Sequence, residues 1–404
     1  MIPYSIQVLA YKQLQSALKI GAKIMNFRQP ELFSGPGSSL DLCDHIAKSG
    51  VRKVLLVSDE FLLEIGLLQP MIDRLESHGV NVVAYTGVQP DPTIEQVEAG
   101  LAMLRQHGSE AVLAIGGGSS IDAAKMVAAR ARNPLKIVHM GGLFRVIVPP
   151  LPLYAIPTTA GTGSEATIGA VISDPETTRK FVVMDPKLVP LAAALDASLM
   201  TGLPAAGTTA TGMDALTHAV EAYLSSNATA ATDAEALEAT RLVMENLPQV
   251  LQDGTDLEAR QRMAIASYKA GVAITTAGIG WVHAISHNLG ALYHLPHGYL
   301  NAIILPRVLD LYRPVCQARL ADLALASGLE GTDEPALADA FIAHVRELNA
   351  QFGIPTQVDK LQDTDIAQIV ERAMSETHWN YAVPVYMDRA RTERMVRDLL
   401  PAPA

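Results

Sequence analysis

The sequence predicts two domains of different fold class. Residues 1–203 are expected to form an α/β domain with a mostly parallel, dinucleotide-binding sheet, and residues 204–404 an all-helical domain. In the first half, short apolar runs alternate with helix-like stretches, whereas beyond about Pro204 helix-like stretches follow one another and strand-like runs are rare. A chain of 404 residues is also long enough for two domains with separate cores.

The individual elements follow from these patterns. The apolar runs typical of buried parallel strands cover residues 53–57, 80–85, 111–115 and 153–156. The helical patterns of the first half cover residues 60–78, 93–107 and 120–131. Those of the second half cover residues 232–247, 256–277, 335–352 and 364–375. Thr232 to Glu235 has the form of a capping box at the start of one of them.

The segment 5–27 has apolar residues at roughly helical spacing with lysines between them. One interpretation is a helix that binds a membrane surface or a partner. The other is a helix or strand that packs on the body of the protein or on a second subunit, which is the commoner fate of such segments.

Composition and charge exclude several classes of function. Hydrophobic residues make up 49% and charged residues 18% of the chain, as in a folded globular protein. The net charge of −11, without a long basic run, argues against nucleic acid and anionic membranes as partners. The two cysteines, Cys43 and Cys316, form no metal motif and favour a cytoplasmic location. The sequence shows no signal-peptide pattern and no membrane span.

A glycine-rich turn, residues 116–125, follows a predicted strand and opens a predicted helix. Glycines allow close approach of the backbone, and a helix N-terminus favours phosphate. A second segment, residues 157–165, also follows a strand and is rich in hydroxyls and glycines, which suits ribose and phosphate oxygens. Because ligands bind at the carboxyl ends of parallel strands, the two segments together predict a nucleotide site, although either alone is explained as a tight turn or a solvent loop.

Asp59 ends the first predicted strand. An acidic residue there accepts hydrogen bonds from an adenosine ribose and repels a 2′-phosphate, which favours NAD over NADP. The chain lacks the usual GxGxxG fingerprint in its first turn, and a surface aspartate at a strand end is the alternative.

A second group of motifs predicts a metal site. Asp214 and His218 are four residues apart, as are His283 and His287, so each pair shares one face of a helix. With His297, the set of Asp214, His218, His283 and His297 offers one carboxylate and three imidazoles. This set suits Fe(II), Zn(II), Co(II) or Ni(II) better than magnesium or calcium. Four protein ligands plus a substrate oxygen need a fifth position, which favours iron slightly over zinc.

Two other histidines in this region are not expected to be metal ligands. His287, one turn from His283, is expected to support a ligand or to relay a proton. His294 is out of helical phase with His287 and is left out of the site. A single histidine is more often a core or surface residue than a ligand, so the hypothesis depends on the whole set.

The motifs together resemble the iron-containing (group III) alcohol dehydrogenase family. The matching segments keep the family's order and are residues 87–93, 116–125, 157–165, 212–221 and 283–298. The resemblance implies the dehydroquinate-synthase-like fold, assembly into dimers or larger oligomers, and reversible oxidation of an alcohol to an aldehyde or ketone with NAD. It also implies that Asp214, His218, His283 and His297 hold the metal and that His287 lies near the nicotinamide.

The resemblance further implies contacts to the dinucleotide from Asp59, Gly117, Gly118, Ser119, Thr158, Thr159, Thr162 and Lys180. Asp122 and Ser164, which belong to the same two motifs, complete the predicted cofactor site.

Three alternatives remain open. A glycerol- or diol-dehydrogenase type and a lactaldehyde-reductase type belong to the same superfamily, whereas a nucleotide-binding scaffold without catalysis belongs to another class. The converging ligand set argues against the scaffold. The chain departs from the family before Pro30, where it looks longer, and at residues 378–387, which lack the common Asn-Pro-Arg ending. The identity of the alcohol is therefore left open.

Overall fold

The computed structural model describes residues 4–24, 28–177 and 179–401. The chain forms two compact units, each of which is discontinuous in sequence. The sheet unit comprises residues 27–204 and 252–271, and the helical unit comprises residues 1–26, 205–251 and 272–404. The division into continuous domains, 1–203 and 204–404, stays a prediction. The compact units differ from it in that residues 1–26 group with the helical unit and residues 252–271 with the sheet unit.

The sheet unit is built on a six-stranded parallel sheet with the order β1-β9-β6-β4-β2-β3 and a three-stranded sheet with the order β5-β8-β7. In the smaller sheet β7 and β8 are antiparallel. The strands are β1 Glu31–Ser34, β2 Lys53–Val57, β3 Asn81–Tyr85, β4 Ala111–Gly116, β5 Gly142–Leu143, β6 Leu153–Pro157, β7 Gly169–Asp174, β8 Arg179–Met184 and β9 Ala192–Leu195.

Helices cover both faces of the large sheet, which explains why its strands are apolar on both sides. Val54 and Leu56 of β2 join one core cluster, whereas Leu55 and Val57 join another. The first cluster includes side chains of α2 and α4, and the second includes side chains of α5 and α6. The helices of this part of the chain are α2 Ser38–Lys48, α3 Glu60–Glu64, α4 Gln69–Ser77, α5 Ile94–His107, α6 Gly118–Arg132 and α7 Ile137–Met140.

Residues 205–401 form helices and no strands, and they belong to the helical unit except for residues 252–271, which include most of α10 and group with the sheet unit. The helices of the helical unit are α1 Tyr4–Ile24, α8 Ala205–Leu224, α9 Ala230–Gln252, α10 Leu257–Ala277, α11 Trp281–Tyr293, α12 His297–Tyr312, α13 Gln317–Ala326, α14 Glu334–Gln351, α15 Ile366–Asn380 and α16 Arg389–Arg397. The side chains of α8 and α12 are mostly buried, so these two helices form the centre of the unit.

Two local predictions are wrong. The stretch 60–78 is not one helix, because the chain turns at Gly66 with a φ of +72° between α3 and α4. Thr232 is not a helix cap, since it lies inside α9. Its backbone N–H lies 3.3 Å from the hydroxyl of Thr229, which stands just before the helix.

The N-terminal segment forms helix α1, which packs on α15 of the same unit. The ring of Tyr11 stacks on His378 at 4.8 Å and meets the edge of Trp379 at 5.1 Å. The side-chain amide of Gln15 donates to the Trp379 carbonyl at 3.1 Å. No helix among the described residues is long and apolar enough to cross a lipid bilayer.

Candidate functional site

The predicted nucleotide loops lie at one edge of the large sheet. Strands β2, β4 and β6 are neighbours and run parallel, so their carboxyl ends meet. Asp59 follows β2, the glycine turn follows β4, and the hydroxyl-rich loop follows β6. A hydrogen bond of 3.0 Å from the Thr158 N–H to the Gly116 carbonyl joins the last two.

The glycine turn leaves the start of α6 open to a ligand. Gly117 precedes the helix in an extended conformation, and no side chain caps the first turn. A Cβ on Gly118 would lie 2.5 Å from Cγ2 of Thr162, so only glycine lets the two loops approach this closely. Uncapped N–H groups at a helix N-terminus are a favourable environment for phosphate oxygens.

Asp59 is neither a plain surface residue nor wholly free for a ligand. Its Oδ1 accepts a 3.0 Å hydrogen bond from the Leu62 N–H and so caps α3. Its Oδ2 lies beside Gly116, where a Cβ would be 3.6 Å away. One carboxylate oxygen is therefore structural, and the other faces the glycine turn.

Asp122 and Ser164 are bonded to each other rather than exposed to the loop surface. The Ser164 hydroxyl donates to Asp122 Oδ1 at 2.5 Å, and the Val171 N–H donates to Asp122 Oδ2 at 2.8 Å. Both oxygens of this carboxylate thus have protein donors. The arrangement ties α6 to the hydroxyl-rich loop and to β7.

Lys180 reaches the glycine turn through one intermediate residue. Its ammonium forms a 2.6 Å ion pair with Asp91, which has a left-handed φ of +60°. The Asp91 N–H donates to the Ser119 hydroxyl at 3.3 Å.

A buried pair of charged residues lies behind these loops. Lys125 is fully buried and donates to the carbonyls of Thr167 and Gly169 at 2.9 and 2.6 Å. Burial lowers the pKa of Lys125 to about 8. Burial also raises the pKa of the Glu165 carboxyl to about 7, against the opposing effect of Lys125.

The predicted metal ligands converge inside the helical unit. Atoms of Asp214, His283 and His297 all lie within 4.8 Å of one another. Asp214 Oδ1 is 3.7 Å from Nε2 of His283 and 3.6 Å from Nε2 of His297. His218 is next to this group, with its Nε2 4.0 Å from the same oxygen and its ring stacked on His283 at 4.5 Å.

Three helices bring these side chains together. Asp214 and His218 are on α8, His283 is on α11, and His297 is the first residue of α12. A Cβ on Gly298 would be 2.0 Å from the Ala210 carbonyl oxygen, so this glycine lets the start of α12 lie against α8. Without that approach, His297 could not reach Asp214.

The electrostatics of the cluster favour positive charge. Burial would raise the pKa of the Asp214 carboxyl, but the surrounding imidazoles outweigh it and hold the pKa well below its usual range. Burial would likewise lower the pKa of His283, whereas hydrogen bonds with Asp214 and Glu221 raise it to about 9. A buried site with such a preference binds either protons or a cation.

Glu221 fixes the orientation of His283. Its Oε2 accepts from Nδ1 of His283 at 2.6 Å, and its Oε1 accepts from the Val282 N–H at 2.8 Å. Because Nδ1 is the donor, Nε2 carries the lone pair in the neutral imidazole, the form that binds a metal, and this atom faces Asp214. A carboxylate on the outer nitrogen of a ligating histidine is a common feature of metal sites.

The donor set and its spacing fit a transition metal. Ligand atoms about 2.0–2.2 Å from a tetrahedral metal lie roughly 3.3–3.6 Å from one another. The distances of 3.6, 3.7 and 4.0 Å from Asp214 Oδ1 are only slightly wider.

His287 has a carboxylate partner of its own. Its Nδ1 is 2.7 Å from Oε1 of Glu376 on α15, which also accepts from the Tyr381 hydroxyl at 2.5 Å. The His287 ring stacks on His297 at 5.1 Å. His294, by contrast, is the left-handed residue that ends α11.

Sequence reasoning missed four residues of this region. Two had a local signal, because Glu221 follows His218 by three residues and Asn301 follows His297 by four. Glu376 and Tyr381 had none, since only the packing of α15 on α11 brings them to His287.

Comparisons with known proteins cover both units. Residues 29–197 match the family model described as iron-containing alcohol dehydrogenase, and residues 208–400 match the C-terminal model of the Fe-containing alcohol dehydrogenase family. The chain is 38% identical over 371 residues to an NAD-dependent methanol dehydrogenase of Bacillus methanolicus, which covers 90% of this chain and 97% of that relative.

Two further comparisons agree. The chain is 36% identical over 348 residues to a lactaldehyde reductase of Escherichia coli K12, covering 85% of this chain and 91% of that relative. A crystal structure of a 1,3-propanediol oxidoreductase matches with a TM-score of 0.89 and 34% identity, covering 93% of this chain and all of the other.

The chain combines a parallel-sheet unit with a helical unit, and it matches the propanediol oxidoreductase structure over most of its length. These findings confirm the predicted fold class, an α/β part with a parallel sheet plus an all-helical part. The chain belongs to the iron-containing alcohol dehydrogenase family, as its motifs predict. Membership of this family confirms the prediction of a metal-containing, NAD-linked oxidoreductase.

Proposed function

We propose that the chain oxidises a small primary alcohol or short diol reversibly to the aldehyde, with NAD as the hydride acceptor. The observation that supports this most directly is the convergence of Asp214, His283 and His297 in the helical unit. Relatives named for methanol, lactaldehyde and 1,3-propanediol all have substrates of a few carbon atoms, which supports the size class.

The proposed metal ligands are Asp214, His218, His283 and His297. The family supports Fe(II), and the donor set also accommodates Zn(II) or another divalent transition metal. When bound, the metal supplies a Lewis acid that polarises the oxygen of the alcohol or the carbonyl. Glu221 keeps His283 in the tautomer whose Nε2 faces Asp214.

The proposed cofactor site uses the loops at the carboxyl edge of the sheet. Gly117, Gly118 and Ser119 offer backbone N–H groups to the phosphates, and Asp59 uses Oδ2 for the ribose, which favours NAD over NADP. Asp122 and Ser164 act by holding the loop, because their polar atoms bond to each other. The remaining proposed contacts are Thr158, Thr159, Thr162 and Lys180.

His287 is proposed to handle the proton. In alcohol oxidation it accepts the hydroxyl proton, directly or through water, and in the reverse direction it returns that proton to the product oxygen. Glu376 at Nδ1 stabilises the positive charge that the ring then carries. Tyr381 holds Glu376 by donating to the same oxygen, Oε1.

We further propose that the protein is a homodimer or larger assembly in the cytoplasm and that its partner is a small-molecule alcohol or aldehyde. The assembly is what the resemblance of the motifs implies, and two buried free cysteines, Cys43 and Cys316, suit a reducing compartment. Light scattering after size exclusion tests the assembly, and a monomer at micromolar concentration would contradict it.

The deciding experiment measures NADH production by metal-quantified protein on methanol, ethanol, propanol, 1,2- and 1,3-propanediol and glycerol, and NADH consumption on lactaldehyde. Turnover on the small primary alcohols or 1,3-propanediol is expected, and His283→Ala should lose activity and metal together. If no compound gives turnover while metal and NAD still bind, the proposed substrate class is wrong.

A further inference from the structure

Asn301 is a buried polar residue whose position the proposed ligand set leaves unexplained. It is on α12, one turn after His297, and is fully buried. Its Oδ1 has no hydrogen-bond partner. An unsatisfied buried polar atom destabilises a folded protein, so an amide at this position is unfavourable for folding alone.

The other end of the amide points at the ligand atoms. Asn301 Nδ2 is 2.8 Å from Asp214 Oδ1, 3.2 Å from Nε2 of His283 and 3.1 Å from Nε2 of His297. Since these three atoms are the corners of the metal-binding triangle, the amide nitrogen lies over its face. The shortest contact is a hydrogen bond to the carboxylate oxygen that faces both imidazoles.

We propose that Asn301 positions the Asp214 carboxylate and closes one face of the metal site. The amide N–H occupies one lone pair of Asp214 Oδ1, which leaves the other for the metal and fixes the rotation of the carboxylate. A cation cannot share the amide's side of the triangle, because N–H hydrogens point toward it. Asn301 therefore decides the side on which the metal binds. This inference rests on the proposed function, because it assumes that Asp214, His283 and His297 hold a metal.

The chain offers a matched control in Asn349. This residue is also buried, also leaves its Oδ1 without a partner, and donates through Nδ2 to a backbone carbonyl, that of Ala302, at 2.6 Å. Asn349→Leu should disturb packing as much as Asn301→Leu does, without touching a ligand.

The test titrates metal-stripped, full-length protein with Co(II) in competition with a chelator. Asn301→Leu should bind Co(II) about 10- to 100-fold more weakly than the parent, the usual effect of losing a hydrogen bond to a metal ligand. Its Co(II) absorption spectrum should also change, because the carboxylate is free to rotate. Asn301→Ala provides the same comparison if the leucine variant does not fold. Asn349→Leu should keep the parental affinity and spectrum.

Three outcomes would overturn the proposal. Parental Co(II) affinity and spectrum in the Asn301 variants would remove Asn301 from the site while leaving the proposed function intact. An equal loss of affinity in Asn349→Leu would assign the effect to general destabilisation. If the parent protein itself binds neither Co(II) nor Fe(II), the proposed metal site fails together with this inference.

Discussion

Replacing Glu221 by glutamine should weaken metal binding without unfolding the helical unit. The carboxylate accepts two hydrogen bonds, one from Nδ1 of His283 and one from the Val282 N–H. Glutamine has one acceptor oxygen and one NH₂ group, so it can satisfy only one of these donors. If the oxygen keeps Val282, the NH₂ group faces Nδ1 of His283.

The imidazole must then carry its proton on Nε2, the nitrogen that faces Asp214. Metal binding has to reverse this tautomer and give up the new hydrogen bond. Hydrogen bonds to charged groups contribute about 1.5–3 kcal/mol, and each 1.4 kcal/mol is tenfold in affinity. We therefore expect metal affinity to fall by about 10- to 150-fold.

Chelator competition with Co(II) measures the affinity, and urea unfolding of the metal-stripped protein checks that folding persists. Asp322→Asn is a suitable control, because Asp322 accepts from the Tyr223 hydroxyl at 2.6 Å elsewhere in the same unit. The reasoning is refuted if Glu221→Gln folds and binds Co(II) within about threefold of the parent, since the tautomer of His283 would then not matter.

Three further predictions concern the cofactor, the proton and pH. Asp59→Ser keeps a cap for α3 but removes the charge, so kcat/KM with NADP relative to NAD should rise; an unchanged ratio would exclude Asp59 from the ribose site. Glu376→Gln should lower kcat about tenfold or more with metal and NAD affinity unchanged, because a charge-assisted hydrogen bond to His287 is lost; a parental kcat in stopped-flow turnover would contradict this. Glu165→Gln should make the free energy of unfolding less dependent on pH. The pKa of Glu165 is about 7 in the folded protein, above its ordinary 4.5, so the stability contributed by the neutral buried carboxyl is fully present below pH 4.5 and is lost as pH rises through 7. Between pH 4.5 and 7, the unfolding free energy of the variant should rise by up to about 3 kcal/mol relative to that of the parent, as measured by urea unfolding. The same difference between the two proteins at both pH values would contradict the burial argument.

Elements are best predicted from sequence where the pattern is local and the residues that form it are buried. Four strands of the large sheet match the predicted runs within one residue at each end, because strands covered on both faces are apolar throughout. Strand β9 was missed because three of its four residues are alanines, which favour helices unless tertiary packing decides otherwise. The pair β7 and β8, which forms a separate sheet with β5, was also missed.

The same limit applies to the candidate site. Asp214 and His218 share a helix face, so their proximity follows from spacing alone. The approach of His297 depends on the packing of α12 on α8 at Gly298, which no spacing reveals. Glu376 is 89 residues from His287 in the chain, and only the tertiary fold places it there.

The packing of α1 on α15 joins the first helix of the chain to a segment close to its other end. Helix α1 supplies Tyr11, and the later segment supplies His378, Trp379 and Tyr386, whose rings surround it. Since α15 also carries Glu376, an N-terminal truncation or affinity tag that disturbs α1 should affect turnover from the opposite end of the chain.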